Sequence, residues 1–112
     1  MADASDSDLN RLFAAALEFG SNWRRPVGDL AAEHFPDRPQ DDRYALTATV
    51  ESCRLAIEAH VEATHIRVGG HWTRGERQQA NAWIAERCPW MTKKNRRRAL
   101  SQGQYYAHHD HG

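Results

Sequence analysis

Apolar residues recur at helical spacing through most of the chain, and four or five helices follow from that pattern. Leu9, Leu12, Phe13, Ala16 and Leu17 return at intervals of three and four, which predicts a first helix over about Ser7 to Phe19. Ser5 or Ser7 offers a hydroxyl to cap its start, and Gly20 suits a left-handed stop. A short second helix is expected from Pro26, because proline is at ease in a first helical turn. Its inward residues are Val27, Leu30, Ala31, and at its end His34 and Phe35; Gly28 weakens it. The segment from Phe35 to Gln40 holds two prolines and reads as a turn.

The longest helix is expected over about Asp41 to His65. Its first residues alternate like a strand, with Tyr44, Leu46, Ala48 and Val50 apolar and Thr47 and Thr49 between them. A helical wheel resolves the ambiguity. Arg43, Thr47, Glu51, Arg54, Glu58, Glu62 and His65 fall on one narrow face. Leu46, Val50, Cys53, Ile57 and Val61 form an adjoining apolar stripe. Ala48, Ser52, Ala56, Ala59 and Ala63 form a stripe of small residues beyond it, over which a second helix is expected to approach closely. His60 is placed beside the apolar stripe as a structural, hydrogen-bonded histidine.

Ile66 to Trp72 reads as a loop hinged on Gly69 and Gly70. Thr73 and Glu76 then have the spacing of a capping box, which opens a fourth helix running to about Arg87 and burying Ala80, Trp83 and Ile84. Pro89 ends it, and Thr92 caps a fifth helix over about Lys93 to Gln102. The fold class expected is all-α: orthogonal or bundle-like packing of four to five helices around a central helix over about 41–65. One domain over 1–112 is expected, with flexible tails at 1–6 and 104–112.

Composition adds three constraints. The chain has 112 residues, 40% hydrophobic and 27% charged, enough apolar surface for a core and too much for disorder. The beginning is acidic, and no apolar run approaches a membrane span, so a cytoplasmic protein without membrane contact is expected. Cys53 and Cys88 are too few for a disulfide framework or a zinc site and read as reduced thiols. The formal net charge of zero conceals a polarity. Residues 1–64 carry six Lys and Arg against twelve Asp and Glu, whereas residues 65–112 carry nine against three.

That polarity directs attention to the fifth helix. Lys93, Lys94, Arg97, Arg98 and Ser101 share a face; Ala99, Leu100 and Gly103 lie on the other, with Arg96 near them. Cations in a first helical turn oppose the helix dipole, at a cost of roughly 0.3–1 kcal/mol each. An anionic partner explains their presence better than stability does. The short connection Cys88-Pro89-Trp90-Met91 between two helices resembles the general layout of a helix-turn-helix. That layout implies Arg97 and Arg98 on phosphates or guanine edges, with Arg96 and Trp90 nearby.

Other chemistry is thinner. Glu62-Ala63-Thr64-His65 has the Glu-x-x-His spacing of di-iron bundles, but a single copy reads better as a solvated or salt-bridged face. His108, His109 and His111 near the end could bind zinc or nickel, but in a tail adventitious binding is the better reading. Trp23, followed by Arg24 and Arg25, suits stacking on a guanidinium or anchoring a partner, and core packing at least as well. Cys88 at a helix C-terminus lacks dipole support for a thiolate, and no phosphate loop or nucleophile elbow is present. The expectation is a non-enzymatic binding protein, without cofactor or metal, whose basic helix meets nucleic acid. The alternative is a helical inhibitor, immunity or adaptor protein that recognises an acidic protein surface.

Overall fold

The structure is a computed structural model that describes residues 5–17 and 25–111. Phe19, Gly20, Trp23 and Arg24 lie outside the described residues, and with them the expected stop of the first helix and the tryptophan beside Arg24. Among the described residues there are five helices and no strand, so the fold is all-α. They are α1 (Asp6–Leu17), α2 (Val27–His34), α3 (Gln40–Arg67), α4 (Arg74–Arg87) and α5 (Lys93–His111). The chain divides into two compact units, residues 1–52 and 53–112, and α3 contributes its first half to one and its second half to the other.

In the first unit, α1 and α2 pack on each other. Ser5 is the cap: the Asp8 N–H donates to its hydroxyl at 3.1 Å. The periodic residues Leu9, Leu12, Phe13, Ala16 and Leu17 are all buried. Pro26 stands just before α2, where its carbonyl accepts from the Asp29 and Leu30 N–H groups. Phe35 ends α2 with its N–H on the Ala31 carbonyl, 2.9 Å. Its buried ring then carries the guanidinium carbons of Arg11 and Arg38 at 5.3 and 5.4 Å from the centroid. Arg38 also pairs with Asp8, which ties the proline turn to the start of α1.

The apolar stripe of α3 is as the wheel placed it: Leu46, Val50, Cys53, Ile57 and Val61 are each at most 3% exposed. The small-residue stripe is not covered. Ala48, Ser52, Ala59 and Ala63 are exposed and Ala56 is half-buried. Close approach happens on the apolar stripe, where a Cβ added to Gly103 of α5 would meet the Val61 side chain at 3.2 Å. The volume is removed from the partner helix rather than from α3.

Both ends of the loop after α3 are built by local hydrogen bonds. Gly69 and Gly70 take φ values of 67° and 82°. The Gly70 N–H reaches the His65 carbonyl at 3.0 Å and the Gly69 N–H reaches Ile66 at 3.2 Å, the paired bonds of a Schellman stop. The capping box is formed in full, with Thr73 N–H on Glu76 at 3.0 Å and Glu76 N–H on Thr73 at 3.1 Å. His60 lies flat against Trp83, with ring centroids 4.0 Å apart and planes 5° from parallel, so it joins α3 to α4. Burial, and after it the Arg67 charge, lowers the pKa of His60.

The largest departure from expectation is the length of α5. It continues past Gly103 to His111, so residues 104–111 are helix rather than tail. Gly103 is a buried contact position and not a stop. Ala99, Gly103 and Ala107, four residues apart, are its small, buried side.

Two glycines in helices therefore respond oppositely to alanine. At Gly28 an added Cβ meets nothing within 4 Å, so Gly28→Ala is expected to raise stability by about 0.4–1 kcal/mol. At Gly103 the opposing residue is a fully buried, β-branched valine that cannot turn aside, and Gly103→Ala is expected to lower stability by about 1 kcal/mol despite better helix propensity. Thermal unfolding of the two variants beside the parent checks both signs.

Candidate nucleic-acid interface

The candidate surface begins at the turn between α4 and α5, which pack on each other. Thr92 caps α5 by accepting the Asn95 N–H on its hydroxyl at 3.2 Å, and Asn95 is buried beneath. Buried residues of α5 then follow one side of the helix: Asn95, Ala99, Leu100, Gly103 and Ala107. The opposite side looks outward. Lys93, Lys94, Arg97 and Ser101 are exposed on it, with Arg98 half-buried at its margin.

Two of the expected site residues, Arg96 and Trp90, form hydrogen bonds at the turn. Arg96 is half-buried and its Nη1 donates to the Met91 carbonyl at 2.9 Å, closing the turn on itself. Trp90 is half-buried and its indole N–H donates to the sulfur of Cys53. Cys88, also in the turn, is fully buried and hydrogen-bonded to Cys53. The two thiols titrate as a pair. The Cys88 hydrogen bond, with help from the Trp90 indole and the Arg87 charge, brings Cys53 down to about 7 against the effect of burial. The same bond and burial push Cys88 up. Both cysteines are free thiols. Their contact fixes the turn against α3, which settles where α5 starts. Nothing in the spacing of Cys53 and Cys88 along the chain announces this meeting.

The first turn of α5 contains two lysines and no acid. Elsewhere, carboxylates find cations: Arg25 pairs with Glu33, Arg38 with Asp8, and His111 with Glu62 at 3.2 Å. Among the described residues, no ion pair takes up Lys93, Lys94, Arg97 or Arg98. Among the described residues, the cations at this helix start thus have no carboxylate paired with them.

The histidines separate by role. Buried His65 accepts the Trp72 indole N–H on its Nδ1 at 3.0 Å. An indole nitrogen only donates, so the neutral ring keeps its proton on Nε2. The His65 and His108 rings meet edge to face at 6.2 Å, and His111 reaches Glu62. Glu62 and His65, adjacent on the α3 wheel, are therefore engaged in packing α5. No group of three or more metal-binding side chains converges among the described residues.

Sequence reasoning missed Tyr105 and His109 because it ended the helix too soon. In α5 they extend the outward face beyond Ser101. Tyr105 is 55% exposed, and its ring is parallel to that of His109 within 5°, with centroids 6.3 Å apart. The signal was present in the four-residue spacing of Ala99, Gly103 and Ala107, which continues a helix face through the glycine.

No family model matches this chain, and neither a curated protein nor a solved structure matches it. Among the described residues no helix is long and apolar enough to cross a membrane.

Replacing Lys93 and Lys94 with Glu places acids where the helix dipole favours them. Each substitution is expected to raise stability by roughly 0.3–1 kcal/mol at low salt. Chemical denaturation at two ionic strengths measures it, and the gain shrinks as salt screens the dipole.

Proposed function

We propose that this protein is a small, non-enzymatic nucleic-acid-binding module that acts without a cofactor, and that the start of α5 is its contact surface. One observation carries the reading: Lys93, Lys94 and Arg97 are exposed and outside every ion pair among the described residues, although their position costs helix stability. A surface maintained against its own local stability is expected where an anion binds. A nucleic-acid backbone supplies such anions in series, and Lys93, Lys94, Arg97 and the half-buried Arg98 would meet them along the first two turns. Ser101 adds a hydroxyl donor one turn later. Arg96 and Trp90 hold the turn and contribute by positioning. The free, buried thiols favour a reducing, cytoplasmic setting.

Phosphate contacts release counterions, so affinity must fall steeply with salt. With up to four cations engaged, the logarithm of the binding constant should fall against the logarithm of salt with a slope of about −3 to −4. Fluorescence anisotropy with short labelled DNA and RNA measures it. A variant with Lys93, Lys94, Arg97 and Arg98 reversed to Glu should lose binding while keeping its helical circular dichroism. Absence of salt-sensitive binding at low salt, or unchanged binding by the reversed variant, overturns the proposal. If the same face instead captures an acidic protein and no oligonucleotide, the partner is a protein.

A further inference from the structure

The outward face of α5 does not end with its cations. Lys94, Arg97, Ser101, Tyr105 and His109 follow one another at intervals of three or four residues, and all five are exposed. Such intervals keep side chains on one side of a helix. From Lys94 to His109 the face runs about 22 Å along the axis at 1.5 Å per residue. It changes character on the way, from ammonium and guanidinium groups to a hydroxyl and then to two parallel aromatic rings. Tyr105 is among the most exposed large apolar side chains of the described residues, on a helix whose other side supplies buried packing.

We infer that α5 binds single-stranded nucleic acid along this face, with Lys94 and Arg97 on phosphates and Tyr105 stacked on an unpaired base. The inference rests on the proposed nucleic-acid reading and adds the class of nucleic acid. A duplex covers the faces of its bases with neighbouring bases and offers proteins its edges and phosphates. An aromatic ring in line with cations has no stacking partner there. A single strand offers both, a flexible backbone for the cations and a bare base for the ring. The separation suits a strand laid along the helix, since Tyr105 lies about 12 Å beyond Arg97, two turns further on. Stacked against Tyr105, His109 backs the ring from its own helix and limits its swing.

The test uses the full chain and one mixed-sequence strand, as DNA and as RNA, each alone and annealed to its complement, with affinities read by anisotropy at low salt. The parent protein is expected to prefer the single strand. Tyr105→Ala should weaken single-strand binding by roughly 5- to 150-fold, the range for loss of one stacked base, and leave duplex binding unchanged. Tyr105→Phe keeps the ring and should retain affinity. Tyr105 is exposed and alanine is a strong helix former, so the helix is expected to survive, which circular dichroism verifies. If the parent binds but prefers the duplex, or if Tyr105→Ala binds the single strand like the parent, the inference is overturned while the proposed function stands. If neither form of nucleic acid binds, both fall together.

Discussion

Val61 and Gly103 decide how close α3 and α5 come, and the outward face of α5 follows from that closeness. With no Cβ on one side and a rigid, branched one on the other, the two helices sit so that a side chain at position 103 would press on Val61. Ala99 and Ala107, one turn before and after, extend the small side of α5. Once this side is seated, helical geometry leaves no freedom to the rest. Lys94, Arg97, Ser101 and Tyr105 must point away. The outward face is thus a consequence of core packing, and its composition is what remains to be explained.

Ordinary stability does not explain it. The positive end of the α5 dipole carries two lysines where an acid would be favourable, and Arg97 and Arg98 crowd the following turn. The remedies available to the chain are used elsewhere. α4 begins with a capping box that holds Glu76 at its first turn, and its carboxyl pKa is lowered by the Thr73 hydrogen bonds. α1, α2 and α3 also have acids in their first turns. Only α5 among the described helices has none, and it has cations in their place. Four helices that obey the dipole and one that opposes it make the exception a feature of that helix.

Much of this was legible in the sequence where a local rule decides the outcome. The Thr73–Glu76 box, the loop at Gly69–Gly70, the Thr92 cap and the apolar stripe of α3 all depend on residues within a turn or two of each other. Failures came where distant residues decide. The fifth helix is expected to end at about Gln102, just before Gly103, but against Val61 that glycine is a packing position, and the helix passes through it. The alanines of α3 look like a contact stripe, yet four of the five small residues are exposed. Trp90 and Arg96 look like partner-binding groups but are drawn inward by Cys53 and by the Met91 carbonyl. Each of these residues takes its place from tertiary contact, and the first of them hid Tyr105.

The central claim is that the outward face of α5, from Lys93 to His109, is the contact surface for nucleic acid. Amide chemical-shift mapping by nuclear magnetic resonance tests it most directly, with a short single strand titrated into isotopically labelled protein. Shift changes are expected to concentrate at Lys93, Lys94, Arg97, Ser101, Tyr105 and His109, with little change in α1 and α2. Shifts that centre on other helices, or that leave α5 unmoved while the strand binds, would contradict it.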